Sequence, residues 1–141
     1  MTDSGRQLID ADRFARFTGV ELLEMGDGRA VTRLEIKDHH RNGLGVVQGG
    51  ALFTLADVAF AAASNSRGQV AVALNVGITF AKAATNGTLT AEASEESRGP
   101  KVGSYRIHVR DESGELLVTF QGLAYVKRQT TAEAVSHIRG K

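Results

Sequence analysis

The hydrophobic and polar residues of this chain follow two periods, and each period predicts a different kind of element. Along most of the chain apolar residues alternate with polar or small ones, which is typical of strands with one buried face. This alternation predicts six strands, over residues 20–25, 30–37, 70–80, 88–95, 105–110 and 116–126. Glycine-containing turns separate neighbouring strands, for example at Gly26-Asp27-Gly28-Arg29 and at Glu112-Ser113-Gly114.

A long apolar segment follows the second predicted strand. Residues 49–65 are rich in Ala, Leu and Phe, contain no proline, and end at Asn65-Ser66-Arg67-Gly68. They predict one helix that is apolar nearly all round and therefore buried. It is too short, and too polar at its ends, for a membrane span. A shorter helix is expected over residues 9–18, with Asp10 as its N-cap and Gly19 as its end.

The order of these elements predicts an α+β fold. A single buried helix that precedes four hairpin-connected strands is best covered when the antiparallel sheet curves around it, and this arrangement is the hotdog fold. Residues 1–141 are expected to form one domain, with its core between about residues 20 and 127. The tail from Lys127 lacks apolar periodicity, so we expect it to be loosely ordered.

Composition and charge exclude several classes of protein. The chain has no cysteine, which rules out disulfides, thiolate metal sites and cysteine nucleophiles. Its 17 Lys and Arg residues against 16 Asp and Glu give a net charge of +1, which is no basis for nucleic-acid binding. The start of the chain lacks the apolar core of a signal peptide, so a cytoplasmic protein without membrane attachment is expected. The 4 histidines have no spacing typical of metal ligands, and no metal is expected.

Asp57 is the only charged residue between Arg41 and Arg67, and it lies inside the apolar helix. Burial of a carboxylate is costly unless the group is paired or faces a functional cleft. Three interpretations follow: an Asp on a solvent-facing edge, a buried hydrogen-bonded structural Asp, and a general base or nucleophile in an apolar pocket. Because the neighbouring residues are nearly all apolar, the solvent-edge interpretation is the weakest. The residues favour the functional interpretation over the structural one only modestly.

Gly49 and Gly50 begin the helix, where free backbone N–H groups and the positive end of the dipole can bind an oxyanion or an acyl carbonyl. A glycine pair that only turns the chain is the simpler alternative. Gly49 and Asp57 are separated by about 12 Å along a helix. One chain therefore cannot present both to the same carbonyl. If they cooperate, Asp57 meets Gly49 of a second chain at a two-fold interface, and the protein is at least a dimer.

The residues around this helix resemble a known family signature. The segment reads Asn42-x-x-Gly45-x-x-Gln48-Gly49-Gly50-x-Leu52-Phe53-x-Leu55-Ala56-Asp57-x-Ala59-Phe60-Ala61. This pattern is similar to that of the phenylacetic-acid-degradation (PaaI-like) thioesterases, which are hotdog-fold enzymes that hydrolyse acyl-CoA and aryl-CoA thioesters. The similarity is closest over residues 42–68 and continues more loosely to about Lys127. It implies that two dimers pair into a tetramer, and that no cofactor is needed because coenzyme A is part of the substrate.

The resemblance also implies roles for single residues. Asp57 would be the nucleophile or the base that activates water, the Gly49 N–H would polarise the thioester carbonyl, and Asn42 would orient the carbonyl or the water. Gln48, the fourth catalytic-site candidate, stands where the family usually has a histidine that helps to position the loop and the substrate carbonyl, and glutamine can donate a hydrogen bond but does not titrate. A second departure is Phe80-Ala81-Lys82-Ala83, where the family often has an Arg-Pro pair.

Coenzyme A is a polyanion, so its binding calls for Lys or Arg near the site. The candidates for phosphate contacts are Lys82, Arg98 and Lys101, which lie in or near predicted turns. For each of them an ordinary solvated surface charge is the simpler interpretation. Gly50 and Thr54, in the first turns of the helix, are the further candidates for substrate contacts.

Two other functions stay open. A hotdog hydratase of enoyl-CoA would commonly pair an acidic residue with a histidine near the helix, and no histidine occurs between His40 and His108. A non-catalytic acyl-CoA-binding module is the second alternative, and Gln48 in place of the histidine keeps it open. The same fold hosts several activities, so the site decides between them.

Overall fold

The computed structural model describes residues 3–139. A short 3-10 turn (Asp38–His40) precedes the long helix. The predicted order of two strands, one long helix and four more strands is confirmed. In chain order the elements are α1 (Ser4–Asp10), α2 (Arg13–Thr18), β1 (Val20–Gly26), β2 (Arg29–Glu35), α3 (Gly49–Ser64), β3 (Gln69–Phe80), β4 (Thr88–Arg98), β5 (Val102–Arg110), β6 (Leu116–Thr130) and α4 (Thr131–Arg139).

The strands form one sheet in the order β1-β2-β4-β5-β6-β3, and every neighbouring pair is antiparallel. The apolar residues predicted to face inward on β4 and β5 are all buried, namely Leu89, Ala91, Ala93, Tyr105, Ile107 and Val109. The sheet curves so that all six strands contact α3. The predicted α+β hotdog fold is therefore confirmed.

Helix α3 is buried along most of its surface because the sheet wraps around it. The ring of Phe60 lies 5.7 Å from the ring of Tyr105 and 5.8 Å from that of Phe120, between centroids. A Cβ on Gly122 of β6 would lie 2.6 Å from Phe60 Cζ, so the strand can pass this ring only as glycine. Within residues 3–139, neither α3 nor any other helix is long and apolar enough to cross a membrane.

The N-terminal segment forms two short helices, whereas the sequence predicted one over residues 9–18. The side chains of Asp3 and Asp12 are the N-caps of α1 and α2, because each accepts hydrogen bonds from free N–H groups of the first turn. Asp10 is the last residue of α1, so the prediction that it is an N-cap is wrong. Gly19 ends α2 in the left-handed region, with φ 98°, as predicted.

The C-terminal residues are not a loose tail, and that expectation is wrong for residues 127–139. Strand β6 continues to Thr130, and α4 begins at Thr131, which is buried. The Thr131 hydroxyl lies 2.6 Å from the Ser4 hydroxyl, and α4 packs against α1. The sequence showed no period here because α4 has only nine residues and packs on one neighbouring helix. Residues 140 and 141 lie outside the described part of the chain.

Candidate active site

One stripe along α3 is left open by the wrapped sheet. It runs through Gly50, Thr54, Asp57 and Ala61, which are exposed or half-buried while most other α3 residues are buried. Their spacing of four, three and four residues places them on one face of the helix. We call this face the open stripe. It carries the carboxylate of Asp57 on the side of α3 that the chain itself does not cover.

The carboxylate of Asp57 is half-buried and unpaired. Within residues 3–139 neither of its oxygens accepts a hydrogen bond or joins an ion pair. Burial raises the pKa of Asp57 above its ordinary value of 3.8, and the nearby negative charge of Asp12 adds to the effect. A structural Asp held by hydrogen bonds within its own chain is therefore not what the structure contains. A desolvated carboxylate with free lone pairs is suited to act as a base or a nucleophile.

The start of α3 offers one free donor, the N–H of Gly49. In the described part of the chain this group has no hydrogen-bond partner. The neighbouring Gly50 N–H donates instead to Gln48 Oε1 at 2.6 Å, so the Gln48 side chain is the N-cap of α3. A Cβ on Gly50 would lie 2.5 Å from that oxygen, so a larger residue here would displace the Gln48 side chain from the cap. The helix dipole and the free N–H together favour a negatively polarised oxygen next to Gly49.

Gly49 is also the point where the chain comes close to β3. A Cβ on Gly49 would lie 3.3 Å from Cζ of Phe80, the last residue of β3. The Phe80 side chain is 51% exposed, so its ring forms one wall beside the free N–H and does not belong to the core.

Asn42 shapes the loop that leads to α3. Its Oδ1 accepts hydrogen bonds from the N–H groups of Leu44 (2.9 Å) and Val46 (3.3 Å). The Gln48 N–H donates to the His40 carbonyl at 2.8 Å, which fixes the loop just before the helix. The structure thus gives the oxygen of Asn42 a loop-forming role.

The predicted basic residues lie at different ends of α3. Lys82 follows Phe80 by two residues and is exposed, with its Nζ 2.6 Å from Glu115 Oε1. Arg98 lies at the opposite end, where its Nη1 donates to the carbonyl of Ser64 (2.8 Å) and to the Tyr105 hydroxyl (3.0 Å). The turn with Lys101 follows Arg98 directly, and the two ends of α3 are about 23 Å apart. Of the three, only Lys82 lies at the end of the molecule that carries Gly49.

Thr54 and Gly50 are joined by the Thr54 hydroxyl, which donates to the Gly50 carbonyl at 2.8 Å. Both residues border a groove of about 410 Å³ between α2 and the first turns of α3. The far wall is formed by Phe14 and Phe17 of α2. Neither phenylalanine was among the site residues predicted from the sequence, although two phenylalanines three residues apart on so short a helix were a visible signal. Among residues 3–139, no group of three or more His, Asp or Glu side chains could hold a metal ion.

A family model described as the thioesterase superfamily matches residues 44–118, which is more than half of the chain. The chain belongs to this superfamily. The matched residues include the whole of α3 with Gly49 and Asp57, together with β3, β4 and β5.

Individual members of the superfamily agree with this assignment. A putative esterase of Archaeoglobus fulgidus is 39% identical over 115 residues, which cover 81% of this chain and 75% of the relative. The acyl-coenzyme A thioesterase PaaI of Escherichia coli is 34% identical over 119 residues, covering 84% of this chain and 85% of the relative. The structure of the E. coli PaaI protein from the phenylacetic acid degradation operon matches with a TM-score of 0.85 at 32% identity, over 90% of this chain and 96% of that one.

These relationships confirm the predicted resemblance to the PaaI-like hotdog thioesterases, and the protein is a hydrolase of thioester bonds. They assign no role to a particular residue, so the roles of Asp57, Gly49, Asn42 and Gln48 stay predictions.

Proposed function

We propose that this thioesterase hydrolyses an acyl-CoA to the free acid and CoA, with Asp57 and the Gly49 N–H as its catalytic groups. The observation that carries the proposal is the pair of unsatisfied groups on α3. A half-buried carboxylate without a hydrogen-bond partner and a helix-start N–H without an acceptor occur on the same helix of a thioesterase. Both groups are partly exposed, so water satisfies them in the free protein and a ligand can replace that water.

The two groups belong to one site only if two chains meet. About 12 Å of helix separates Gly49 from Asp57, which is too far for one carbonyl. Strand β3 is an edge of the sheet, and its Val72 and Leu74 are 42% and 57% exposed. An exposed apolar edge strand favours pairing with a second copy. Two-fold pairing through β3 would place the helices side by side and antiparallel, with Asp57 of each chain next to Gly49 of the other. A dimer of dimers is the larger assembly we propose.

In this site the thioester carbonyl accepts a hydrogen bond from the Gly49 N–H, which stabilises the negative charge that develops on the oxygen. Two routes are open to Asp57. As a base, it takes a proton from water, the water oxygen attacks the carbonyl carbon, the C–S bond breaks, and the proton passes to the CoA thiolate. As a nucleophile, it attacks the carbon itself, the C–S bond breaks and CoA leaves as a thiolate. Water then hydrolyses the mixed anhydride to the free acid and the Asp57 carboxylate, and the proton that water gives up passes to the CoA thiolate. Neither route needs a further cofactor or a metal.

The substrate class we propose is an aryl- or medium-chain acyl-CoA. E. coli PaaI, a relative at 34% identity, is an acyl-CoA thioesterase, and its structure is described with the phenylacetic acid degradation operon. For the contact with a CoA phosphate we propose Lys82, which is exposed and lies two residues beyond Phe80. A cytoplasmic location fits such a substrate and stays a prediction.

The experiment that tests the function is hydrolysis of an acyl-CoA panel by the protein and by Asp57→Asn, followed as thiol release. The chain has no cysteine, so a thiol reagent reacts only with the released CoA. We expect the unchanged protein to hydrolyse at least one aryl- or medium-chain member. Asp57→Asn should lose activity by about 10³-fold or more, because it removes the base or nucleophile. Turnover by Asp57→Asn near that of the unchanged protein would exclude the mechanism, and no turnover by the unchanged protein would favour a non-catalytic acyl-CoA-binding module.

A further inference from the structure

Two phenylalanines of α2 are left largely uncovered by the rest of the chain. Phe14 and Phe17 are 65% and 82% exposed, and they lie one helical turn apart on the same face. Adjacent exposed aromatic rings of this size are typical of a binding surface.

The rings face the start of α3. They form one wall of the groove of about 410 Å³ whose other wall includes Gln48, Gly50 and Thr54. Gln48 and Gly50 are the chain neighbours of Gly49, so the groove reaches the start of α3 that carries the free N–H. A volume of this size is within the range of small-molecule sites.

The position of α2 relative to α3 is held by His40, which is buried. Its Nδ1 accepts a hydrogen bond from the Lys37 N–H at 2.9 Å, so Nε2 carries the proton and donates to the Thr18 carbonyl at 2.6 Å. The carbonyl of His40 accepts from the Gln48 N–H at the start of α3. The end of α2 is thus tied to the segment that begins α3, and the rings keep their place beside Gly49.

The acyl group and the CoA chain extend in different directions from a thioester carbonyl bound at Gly49. On one side of Gly49 lies Phe80, followed two residues later by the exposed Lys82. Two other neighbours of Gly49, Gln48 and Gly50, line the groove, which includes neither Phe80 nor Lys82. Among the described residues that line it, Arg41 is the only lysine or arginine, and its guanidinium already donates to the carbonyls of Gly45 and Thr85 and to Asn86 Oδ1. The groove therefore offers aromatic walls without a free cation.

We propose that this groove binds the acyl group of the thioester, and that Phe14 and Phe17 determine acyl specificity. The CoA chain then leaves past Phe80 toward Lys82, whose ammonium has one exposed partner, Glu115, and keeps further N–H donors for a phosphate. The proposal rests on the proposed function for the carbonyl position beside Gly49. The aromatic walls favour a phenyl ring or an alkyl chain of several carbons, and an acetyl group is too short to reach them.

The test compares Phe14→Ala, Phe17→Ala and the double variant on acetyl-CoA, hexanoyl-CoA and phenylacetyl-CoA. We expect kcat/KM for the two larger substrates to fall by about 10-fold or more and kcat/KM for acetyl-CoA to stay within about twofold. Inhibition by free CoA should be unchanged. Leu23→Ala is the matched control, since this apolar side chain is 41% exposed on β1, at the sheet edge opposite β3 and outside the groove, and it should change none of these values. Both phenylalanines are mostly exposed, so circular dichroism and melting temperature should stay as in the unchanged protein.

Two results would overturn the proposal. If no substrate is affected, the groove is not the acyl site. If acetyl-CoA is affected as strongly as the larger substrates and free CoA inhibits less, the groove holds the CoA chain.

A binding measurement tests the acyl groove independently of the proposed hydrolysis. In an Asp57→Asn background, Kd is measured for phenylacetyl-CoA and for CoA, and the phenylalanine variants should remove the difference between the two. If the unchanged protein hydrolyses nothing, the proposed function is wrong, while the Kd difference still decides whether the groove binds the acyl group.

Discussion

The carboxylate of Asp57 is held half-buried on α3 with no donor from its own chain, and this placement affects its two protonation states differently. Desolvation penalises the ionised form, so the folded protein holds the proton more tightly than the unfolded chain does. The same desolvation makes the ionised carboxylate a stronger base and nucleophile. Function and stability therefore oppose each other at this residue, as is common in active sites.

The residue-scale prediction concerns the pH dependence of stability. Because the pKa of Asp57 is raised, the ionised carboxylate lowers the free energy of unfolding at neutral pH, and this loss disappears as the pH falls through the raised pKa toward 3.8. We expect Asp57→Asn to melt at a higher temperature than the unchanged protein at pH 7, with a difference that shrinks as the pH is lowered. Thermal unfolding followed by circular dichroism between pH 7 and pH 4 measures it.

Asp111 supplies a control of opposite sign. The hydrogen bond from the Ser113 hydroxyl lowers the pKa of Asp111, and N–H groups of the same turn add to the effect. Asp111→Ala should therefore lower the melting temperature at pH 7. A lower melting temperature for Asp57→Asn as well would mean that the assembled protein stabilises the Asp57 carboxylate.

At the scale of elements, the first turn of α3 depends on an uncommon cap. Glutamine is not a preferred N-cap, since its side chain is longer than those of Ser, Thr, Asp and Asn. Here Gln48 folds back onto the Gly50 N–H, and the absence of a side chain at Gly50 leaves it the room. The cap satisfies the second N–H of the helix and leaves the first, that of Gly49, free. The helix start is thus built so that a single donor is left for a ligand.

Gly49→Pro tests this donor because it removes the N–H at the one helical position where proline is favoured. The residue before a proline must be extended, and Gln48 already is, with φ −66° and ψ 139°. We expect kcat to fall by about 10²–10³-fold with little loss of helix, as measured by thiol release and circular dichroism. Gly49→Ala is the matched control, since it adds a Cβ near Phe80 but keeps the N–H. Equal losses in both variants would assign the effect to crowding and not to the donor.

At the scale of the whole molecule, the curved sheet covers α3 from every side except the open stripe, and it ends in the uncovered edge strand β3. In a single chain, both the open stripe and the β3 edge are left uncovered. The stripe carries Asp57, and the edge carries the exposed Val72 and Leu74. A second copy on β3 would complete the sheet and the proposed site together, so assembly and activity should depend on each other.

Mixed dimers test whether the site is shared between chains. When Asp57→Asn and Gly49→Pro chains are refolded together in equal amounts, half of the dimers contain one chain of each kind. In a shared site, each mixed dimer has one intact site out of two, so about a quarter of the unchanged activity should return. If both groups came from one chain, neither variant would rescue the other and the mixture would stay inactive. Each variant refolded alone serves as the control.

Local periodicity and one charge in an apolar segment were enough to predict the six strands, the burial of α3 and the unusual status of Asp57. The sequence by itself also identified the family through residues 42–68, which are consecutive in the chain. It failed where short elements pack on distant ones: α4 on α1, and the division of residues 9–18 by the cap at Asp12.

Only the tertiary structure decided which groups near the site are satisfied. It gave Gln48 the Gly50 N–H, bonded Arg98 to Ser64 at the far end of α3, and left Gly49 and Asp57 without partners among the described residues. The tertiary structure also placed Phe14 and Phe17 beside the start of α3. The physical reason is that hydrogen-bond satisfaction and exposure depend on residues far apart in sequence, and periodicity contains no information about them.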